Sequence, residues 1–450
     1  MNPQIFRAYD IRGVADRDLS DDVAYRVARA YATIVRRADG HRVALGRDCR
    51  LSSDRLHAAF VKGLVDSGLA VHDVGVGASP QLYWAVHHLD TDGGVQITGS
   101  HNPAEHNGFK MMLGKASLHG AALHTLRDLA TRGEFESGAG VVTEHDLRQA
   151  YVADILSRIQ LGPHRPKVVL DAGNGAGGPA GEALVRGLGL DVVALHTTMD
   201  GRFPNHHPDP TVEDNLVELI DTVRREKADV GIAYDGDADR IGVVDDQGQV
   251  LWGDRLLILL ARDVLKTHPG GAIVAEVKCS HTFFSDVLQH GGRPVMSAVG
   301  HSIIKDRMKL EGALLAGEMS GHIFYKERWY GFDDAIYVTA RVLEILSRSA
   351  TPLSSLLADV PKTHATPEIR LDASDESKFA IVRAAIDHYR QAHPVIDIDG
   401  ARIDFGDGWG LIRASNTQPI IVMRAEAESP AALARIRAEI EGFVARHQTP

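Results

Sequence analysis

Short apolar runs alternate with helical stretches along most of this chain, and that alternation restricts it to sheets crossed by helices. The first block reads residues 42–46 as a strand, a helix capped by Ser52 or Ser53 through Ser67, 70–74 as a strand, 80–88 as a helix and 94–98 as a strand. The pattern restarts with strands at 167–171, 191–196 and 230–234, separated by helices at 178–188 and 213–227. It restarts again after a helix at 254–266, with strands at 272–277, 293–299 and 313–316 and helices at 281–290, 302–310 and 333–349. Strands separated by helices predict mostly parallel sheets with crossover connections. The tail differs, with strands at 368–371, 401–405, 410–413 and 420–425 between helices at 376–391 and 430–446. That order predicts an α+β module with an antiparallel sheet, beginning near 361–367. A length of 450 residues suits about three or four domains.

Composition narrows the partners. Hydrophobic residues make up 44%, charged residues 24% and aromatics 6%, an ordinary globular balance. Net charge is −11 and no Lys/Arg run supplies a basic face, which argues against nucleic acid. A small anionic substrate remains compatible, because cationic pockets form on acidic proteins. Cys49 and Cys279 are too few for a disulfide framework and are read as reduced thiols. The N-terminal residues carry Arg7, Asp10 and Arg12 and no apolar signal core, and the longest apolar run is 256–261. A cytoplasmic protein without membrane attachment is expected.

Three polar loops follow strands: T-G-S-H-N-P, D-G-D-A-D-R and G-E-M-S-G-H. Ser100, an exposed hydroxyl at a strand's carboxyl end, stands where open α/β sheets bind ligands and is a candidate nucleophile, although turn chemistry alone accounts for Ser-His-Asn-Pro. Asp235, Asp237 and Asp239 alternate after an apolar strand; three converging carboxylates call for a hard cation, Mg²⁺ or Ca²⁺. An EF-hand is excluded, since its sixth and twelfth positions here are Arg240 and Asp246. Glu318, Ser320 and His322 offer groups for hydroxyls, and a turn role is the plainer reading. In the tail, Arg413, Ser415, Asn416 and Thr417 place a guanidinium beside hydroxyl and amide donors, which is phosphate-binding chemistry.

D-A-G-N-G-A-G-G satisfies G-x-G-x-x-G through Gly173, Gly175 and Gly178, with Asp191 about 20 residues on. A dinucleotide-dependent oxidoreductase is the rival this motif supports; a tight turn without nucleotide is the favoured reading. The 23 histidines contain no His-Glu-x-x-His, and His206-His207 falls among loop signals, so no zinc site is read from them.

The four motifs, in this order and one per block, resemble the α-D-phosphohexomutase superfamily, specifically its bacterial phosphomannomutase/phosphoglucomutase branch, across essentially the whole chain. The resemblance implies an α/β fold of three related mixed α/β sheet domains plus a C-terminal α+β domain around a central cleft. The expected bounds are 1–147 for the phosphoserine domain, 148–252 for the metal domain, 253–364 for the sugar domain and 365–450 for the phosphate-binding domain. By resemblance Ser100 carries a phosphoryl group, and Asp235, Asp237 and Asp239 hold Mg²⁺ together with it. Glu318 and Ser320 grip sugar hydroxyls, and Arg413, Ser415, Asn416 and Thr417 hold the substrate phosphate. Tyr9, Arg12, Lys110, Arg240, Lys278, His301 and His322 line the cleft, with Arg12, Lys110 and His322 as proton-transfer candidates. The implied activity interconverts hexose 1- and 6-phosphates of glucose or mannose, with glucose 1,6-bisphosphate as activator and intermediate and a monomer as the working form. Met319 stands where the phosphoglucosamine mutase branch typically has Gln. A non-catalytic sugar-phosphate binding protein is the rival from another class.

Overall fold

The computed structural model describes residues 1–374, 376–416 and 418–448. Three sheets repeat one topology. In the first, Arg42–Arg47 lies between parallel neighbours Ala70–Val76 and Gly93–Ile97, and His106–Leu113 adds antiparallel to Gly93–Ile97. In the second, Val168–Asp171 lies between Val192–Leu195 and Val230–Tyr234, with Ile241–Asp245 antiparallel beyond. In the third, Ala272–Glu276 lies between Arg293–Ser297 and Leu315–Gly317, with Ile323–Tyr325 antiparallel beyond. Each unit therefore runs second, first, third and fourth strand across the sheet. The strand-by-strand reading missed the antiparallel fourth strand in each block, and these strands make the three sheets mixed, as the resemblance implies. His106–Leu113 alternates too weakly to read as a strand. Ile323–Tyr325 is only three residues long.

The parallel strands are apolar because helices cover both faces. Val230–Tyr234 (V-G-I-A-Y) is buried at every position. The helix Ala335–Arg348 explains how the three units cohere. It is capped by the Asp334 side chain, which accepts from the Tyr337 amide, and every residue except Arg348 is buried. One continuous apolar core runs from Trp84 and Tyr151 through Leu170 and Tyr234 to Leu257 and Tyr337. Helices Asp21–Arg37, Ala121–Arg132 and Arg148–Ser157 complete this body.

The tail has its own core, built from Ile381, Ile403, Ile412, Met423, Ile436 and Phe443. Its antiparallel sheet orders Ile420–Ala427, Gly408–Ala414 and Ala401–Asp404 side by side, with Ile369–Asp372 also pairing Ile420–Ala427. The helix Pro430–His447 packs across it, with Pro at its first turn and Ser429 capping the Ala432 amide. Both cysteines are free, and among the described residues no helix is long and apolar enough to cross a membrane.

Candidate active site

The three polar loops occupy one equivalent position, the connection between third and fourth strands of each unit. These connections meet one another, with Ser100 of the first touching Asp235 of the second. Arg240 bridges to His322 as an isolated antiparallel pair, and the Ser79 amide donates to the Asp237 carbonyl at 2.9 Å.

Ser100 is buried, at 1% exposure, so the sequence expectation of an exposed hydroxyl is corrected. Its Oγ donates to Asp235 Oδ2 at 2.8 Å and lies 3.1 Å from His101 Nδ1. The residue has φ +49°, a left-handed conformation that non-glycine residues seldom adopt. A buried clamp holds it there. Arg50 donates to the carbonyls of Ser100 (2.6 Å), Asn102 (2.6 Å), Pro103 (2.5 Å) and His106 (3.0 Å). Asp48 pairs with Arg50 at 3.2 Å and accepts from the Thr98 hydroxyl at 2.8 Å and the Gly99 amide at 3.2 Å.

Asp235, Asp237 and Asp239 are fully buried, and one oxygen of each lies within 4.8 Å of the others. Ser79 Oγ donates to Asp237 Oδ2 at 2.5 Å, and Lys110 Nζ reaches Asp237 Oδ2 at 2.6 Å and also Asp239. Burial and the adjacent carboxylates push Asp235 well above the usual carboxylate range. Burial also raises Asp237, but Lys110 outweighs it and holds that carboxyl low. Burial opposes the Lys110 ammonium, and Asp237 and Asp239 outweigh it in turn, so Lys110 stays charged. Asp237 Oδ1 and Asp239 Oδ1 are buried without a hydrogen-bond donor. Orphaned oxygens in an all-carboxylate set fit a hard divalent cation.

The remaining cleft residues fall into place around this centre. Arg240 Nε donates to His322 Nε2 at 2.9 Å, while His322 Nδ1 lies 3.0 Å from Asp333 Oδ2. His301 stacks on His322 with ring centroids 5.8 Å apart. Glu318 accepts from the Gly300 amide at 2.8 Å and from Ser320 Oγ at 2.9 Å. Arg12 pairs with Asp10 at 2.7 Å. Lys278 pairs with Glu368 of the tail at 2.7 Å. Tyr9 donates to the Val299 carbonyl at 2.8 Å and accepts from Asn416 at 2.9 Å, which brings the first, third and last domains together. Arg413 pairs with Asp399 at 3.0 Å and lines the cleft with Ser415. Thr417 lies outside the described residues. The cleft encloses about 1020 Å³ and has Tyr9, Arg12, Lys110, Arg240, Glu318 and Arg413 on its walls; Ser100, Asp235 and Asp237 sit beneath its floor.

Sequence reasoning missed Asp48, Arg50, Ser79, His101 and Asp333. Burial and the neighbouring cations Arg240 and Arg12 hold His101 well below the usual imidazole range, so a neutral ring faces the serine. Burial would raise Asp333, yet Lys305 and His322 keep it well below the usual range as a carboxylate. The one available signal for the clamp was Asp-x-Arg directly after the strand Arg42–Arg47. The glycine-rich turn is filled by protein: a Cβ at Gly175 would lie 2.7 Å from the Gly236 carbonyl, and one at Gly178 2.2 Å from that of Thr197. Its glycines serve the close approach of neighbouring loops.

Comparison with known proteins agrees with this geometry. The descriptions "Phosphoglucomutase/phosphomannomutase, alpha/beta/alpha domain I", "domain II" and "domain III" match residues 3–136, 149–248 and 252–364, and the corresponding "C-terminal domain" matches 368–442. The chain belongs to the phosphoglucomutase/phosphomannomutase family. A Phosphomannomutase/phosphoglucomutase of Pseudomonas putida is 45% identical over 96% of this chain and 94% of its own. A Phosphoglucomutase of Neisseria gonorrhoeae is 45% identical over 98% and 96%. The crystal structure of a phosphoglucomutase/phosphomannomutase family protein from Burkholderia thailandensis superposes with TM-score 0.93 at 42% identity, covering 99% of this chain and 98% of that one. As a member of this family of phosphohexomutases, the chain is an enzyme of the isomerase class.

Proposed function

We propose that the chain is a Mg²⁺-dependent phosphohexomutase that interconverts the 1- and 6-phosphates of glucose and mannose through a phosphoserine at Ser100 and a hexose 1,6-bisphosphate. The observation that carries this reading is Ser100 Oγ at 2.8 Å from Asp235 of a buried carboxylate triad, beside a cleft that Arg413 and Ser415 of the tail also line. Asp235, Asp237 and Asp239 would hold the cation. When bound, Mg²⁺ draws charge from the phosphoserine oxygens.

The chain's own groups do the rest. In the forward step the phosphorus–oxygen bond to Ser100 breaks as one to the free sugar hydroxyl forms; the hydroxyl gives up its proton and the serine oxygen takes one. The bisphosphate turns end for end, and the second phosphoryl group returns to Ser100. Three aspartates and a phosphoserine of about −2 exceed the charge of one divalent cation, so Lys110, Arg240 and Arg12 are needed as counter-charges. Of the proton-transfer candidates, Arg12 and Lys110 enter as cations, whereas His322 carries an imidazole lone pair, directed at Arg240 Nε. Glu318 and Ser320 orient the sugar hydroxyls, and the loop of Arg413, Ser415, Asn416 and Thr417 takes whichever phosphate is not reacting. Lys278, His301 and Tyr9 complete the lining. The dual name of the Pseudomonas putida relative supports activity on both sugars. A fungal N-acetylphosphoglucosamine mutase solved with glucose 1,6-bisphosphate shares the fold. The same reading makes the enzyme a cytoplasmic monomer.

The test is a mutase assay on glucose, mannose and glucosamine 1-phosphates with Mg²⁺ and catalytic glucose 1,6-bisphosphate, beside intact mass spectrometry. Glucose and mannose phosphates should turn over well and the glucosamine phosphate poorly. One phosphate should appear on Ser100 and disappear with excess substrate. Ser100→Ala should lose more than about 10⁴-fold in kcat while remaining folded. Wild-type turnover in that variant, or preference for glucosamine phosphate, overturns the proposal.

A further inference from the structure

A second cluster of ligating side chains lies in the second domain, and the mutase reaction leaves it unused. Asp171 ends the strand Val168–Asp171, and His196 follows its parallel neighbour Val192–Leu195, whose last residue pairs with Asp171. Two adjacent strand ends thus present a carboxylate and an imidazole side by side. His206 reaches over from the following loop, and its Nε2 lies 3.0 Å from Asp171 Oδ2. Glu218, at the start of Val217–Glu226, lies 2.9 Å from His196 Nε2. One ligating atom each of Asp171, His196 and His206 falls within a 4.8 Å span, and the two rings meet edge to face at 5.5 Å.

The surroundings orient these groups inward. His206 Nδ1 lies 3.0 Å from the His207 carbonyl, which holds a ring proton there, so the hydrogen that Nε2 shares with Asp171 Oδ2 is the one a bound cation displaces. Asp171 Oδ1 accepts from the Gly173 amide at 2.9 Å, which leaves Oδ2 for the cluster. Ring nitrogens and carboxylates fixed from behind in this way are how proteins aim metal ligands. Asp171 is buried, and both imidazoles keep an edge in solvent, 16% and 17% exposed, which provides an entry path. We infer that Asp171, His196 and His206 form a second metal site for a zinc-class divalent cation, with Glu218 orienting the His196 ring. Two imidazoles and a carboxylate, with a position left for water, suit zinc and its neighbours, whereas the all-oxygen triad suits Mg²⁺. The sites therefore discriminate by ligand chemistry.

The position gives the cation a structural role behind the catalytic loops. A Cβ on Gly173 would lie 3.0 Å from Pro208 and 3.2 Å from the His206 ring; one on Gly236 would lie 3.5 Å from Pro208 and 2.3 Å from the Ser100 carbonyl. The loop carrying His206 thus packs on the glycine-rich turn and on the triad loop together. A bound cation fastens that loop to the strand ends beneath it.

The experiment titrates the full chain, held in saturating Mg²⁺, with Co²⁺ as a visible-absorbing probe and with zinc as competitor. One Co²⁺ per chain should bind with a ligand-field band, and zinc should displace it. His196→Asn, which keeps a residue tolerant of the φ +50° found there, should weaken binding by at least about tenfold. Its metal-free melting curve should match wild type, and zinc should raise the melting temperature of wild type only. Asp237→Asn should leave the cobalt band in place. Absence of a band in wild type, or a band that survives His196→Asn and vanishes in Asp237→Asn, overturns the inference; the pairs would then be ordinary ion pairs.

Discussion

Arg50 illustrates how much of the geometry of the candidate nucleophile Ser100 is made by residues that do no chemistry. Its side chain and that of Asp48 are 0% and 1% exposed, and its fork donates to four carbonyls around the serine loop. Arg50→Ala should destabilise the protein by about 3–5 kcal/mol in denaturant titration, because it leaves Asp48 as an uncompensated buried charge. Arg50→Lys keeps the charge but not the fork, so kcat should fall with KM little changed. Asp334 gives a second residue-scale test. Burial pushes its carboxyl up to about 7, above the roughly 3.9 of an unfolded chain. The folded state therefore holds the proton more tightly, and this contribution to stability is complete below about pH 4 and lost as pH rises through about 7. Melting temperatures of wild type relative to Asp334→Asn should decline across that window; a constant difference would refute the assignment. Ser100 and the three aspartates were legible in the sequence because their chemistry is concentrated in contiguous loops. Arg50 was not, since beyond its pairing with Asp48 its partners are backbone carbonyls, and Asp-x-Arg alone does not reveal them.

At the scale of elements, the site depends on backbones lying too close for side chains. Gly236→Ala keeps every charge in place, yet its Cβ would stand 2.3 Å from the Ser100 carbonyl, so the serine loop must shift. We expect stability to fall by about 1–3 kcal/mol. Turnover should fall about 10²-fold, as misplacing a reacting group by about an ångström does. Normal steady-state kinetics in that variant would show that the loops tolerate separation. The same contacts explain the misleading glycine motif: Gly173, Gly175 and Gly178 satisfy a dinucleotide spacing while making room for protein. The parallel strands were legible as apolar runs, and most crossover helices as periodic ones. The fourth strands were not. His106–Leu113 carries His106, Asn107, Gly108 and Lys110, because one of its ends belongs to the site and cannot be apolar.

Across the whole molecule, one core spans all three units, the first unit adds a second around Tyr31, Phe60 and Phe109, and the tail owns another, so the cleft lies between a fused body and a separately packed cap. Trp252 offers a direct reading of that cleft. It is 37% exposed and lines the cavity, whereas Trp84, Trp329 and Trp409 are 1%, 5% and 5% exposed. Acrylamide should quench mainly Trp252, glucose 1,6-bisphosphate should protect it, and Trp252→Phe should remove both effects. Quenching that ignores the bisphosphate would place the ligand elsewhere. The number of domains could be anticipated from the restarting alternation, but their common strand order could not, since it is a property of pairing and not of any one segment. That common order has a consequence for how such an enzyme can change. On the proposed function, phosphoryl carriage, cation holding and sugar recognition are allotted to equivalent connections in three copies of one scaffold. Substitutions in the Glu318–His322 connection can therefore explore new sugars while the copies that carry out phosphoryl transfer are inherited intact.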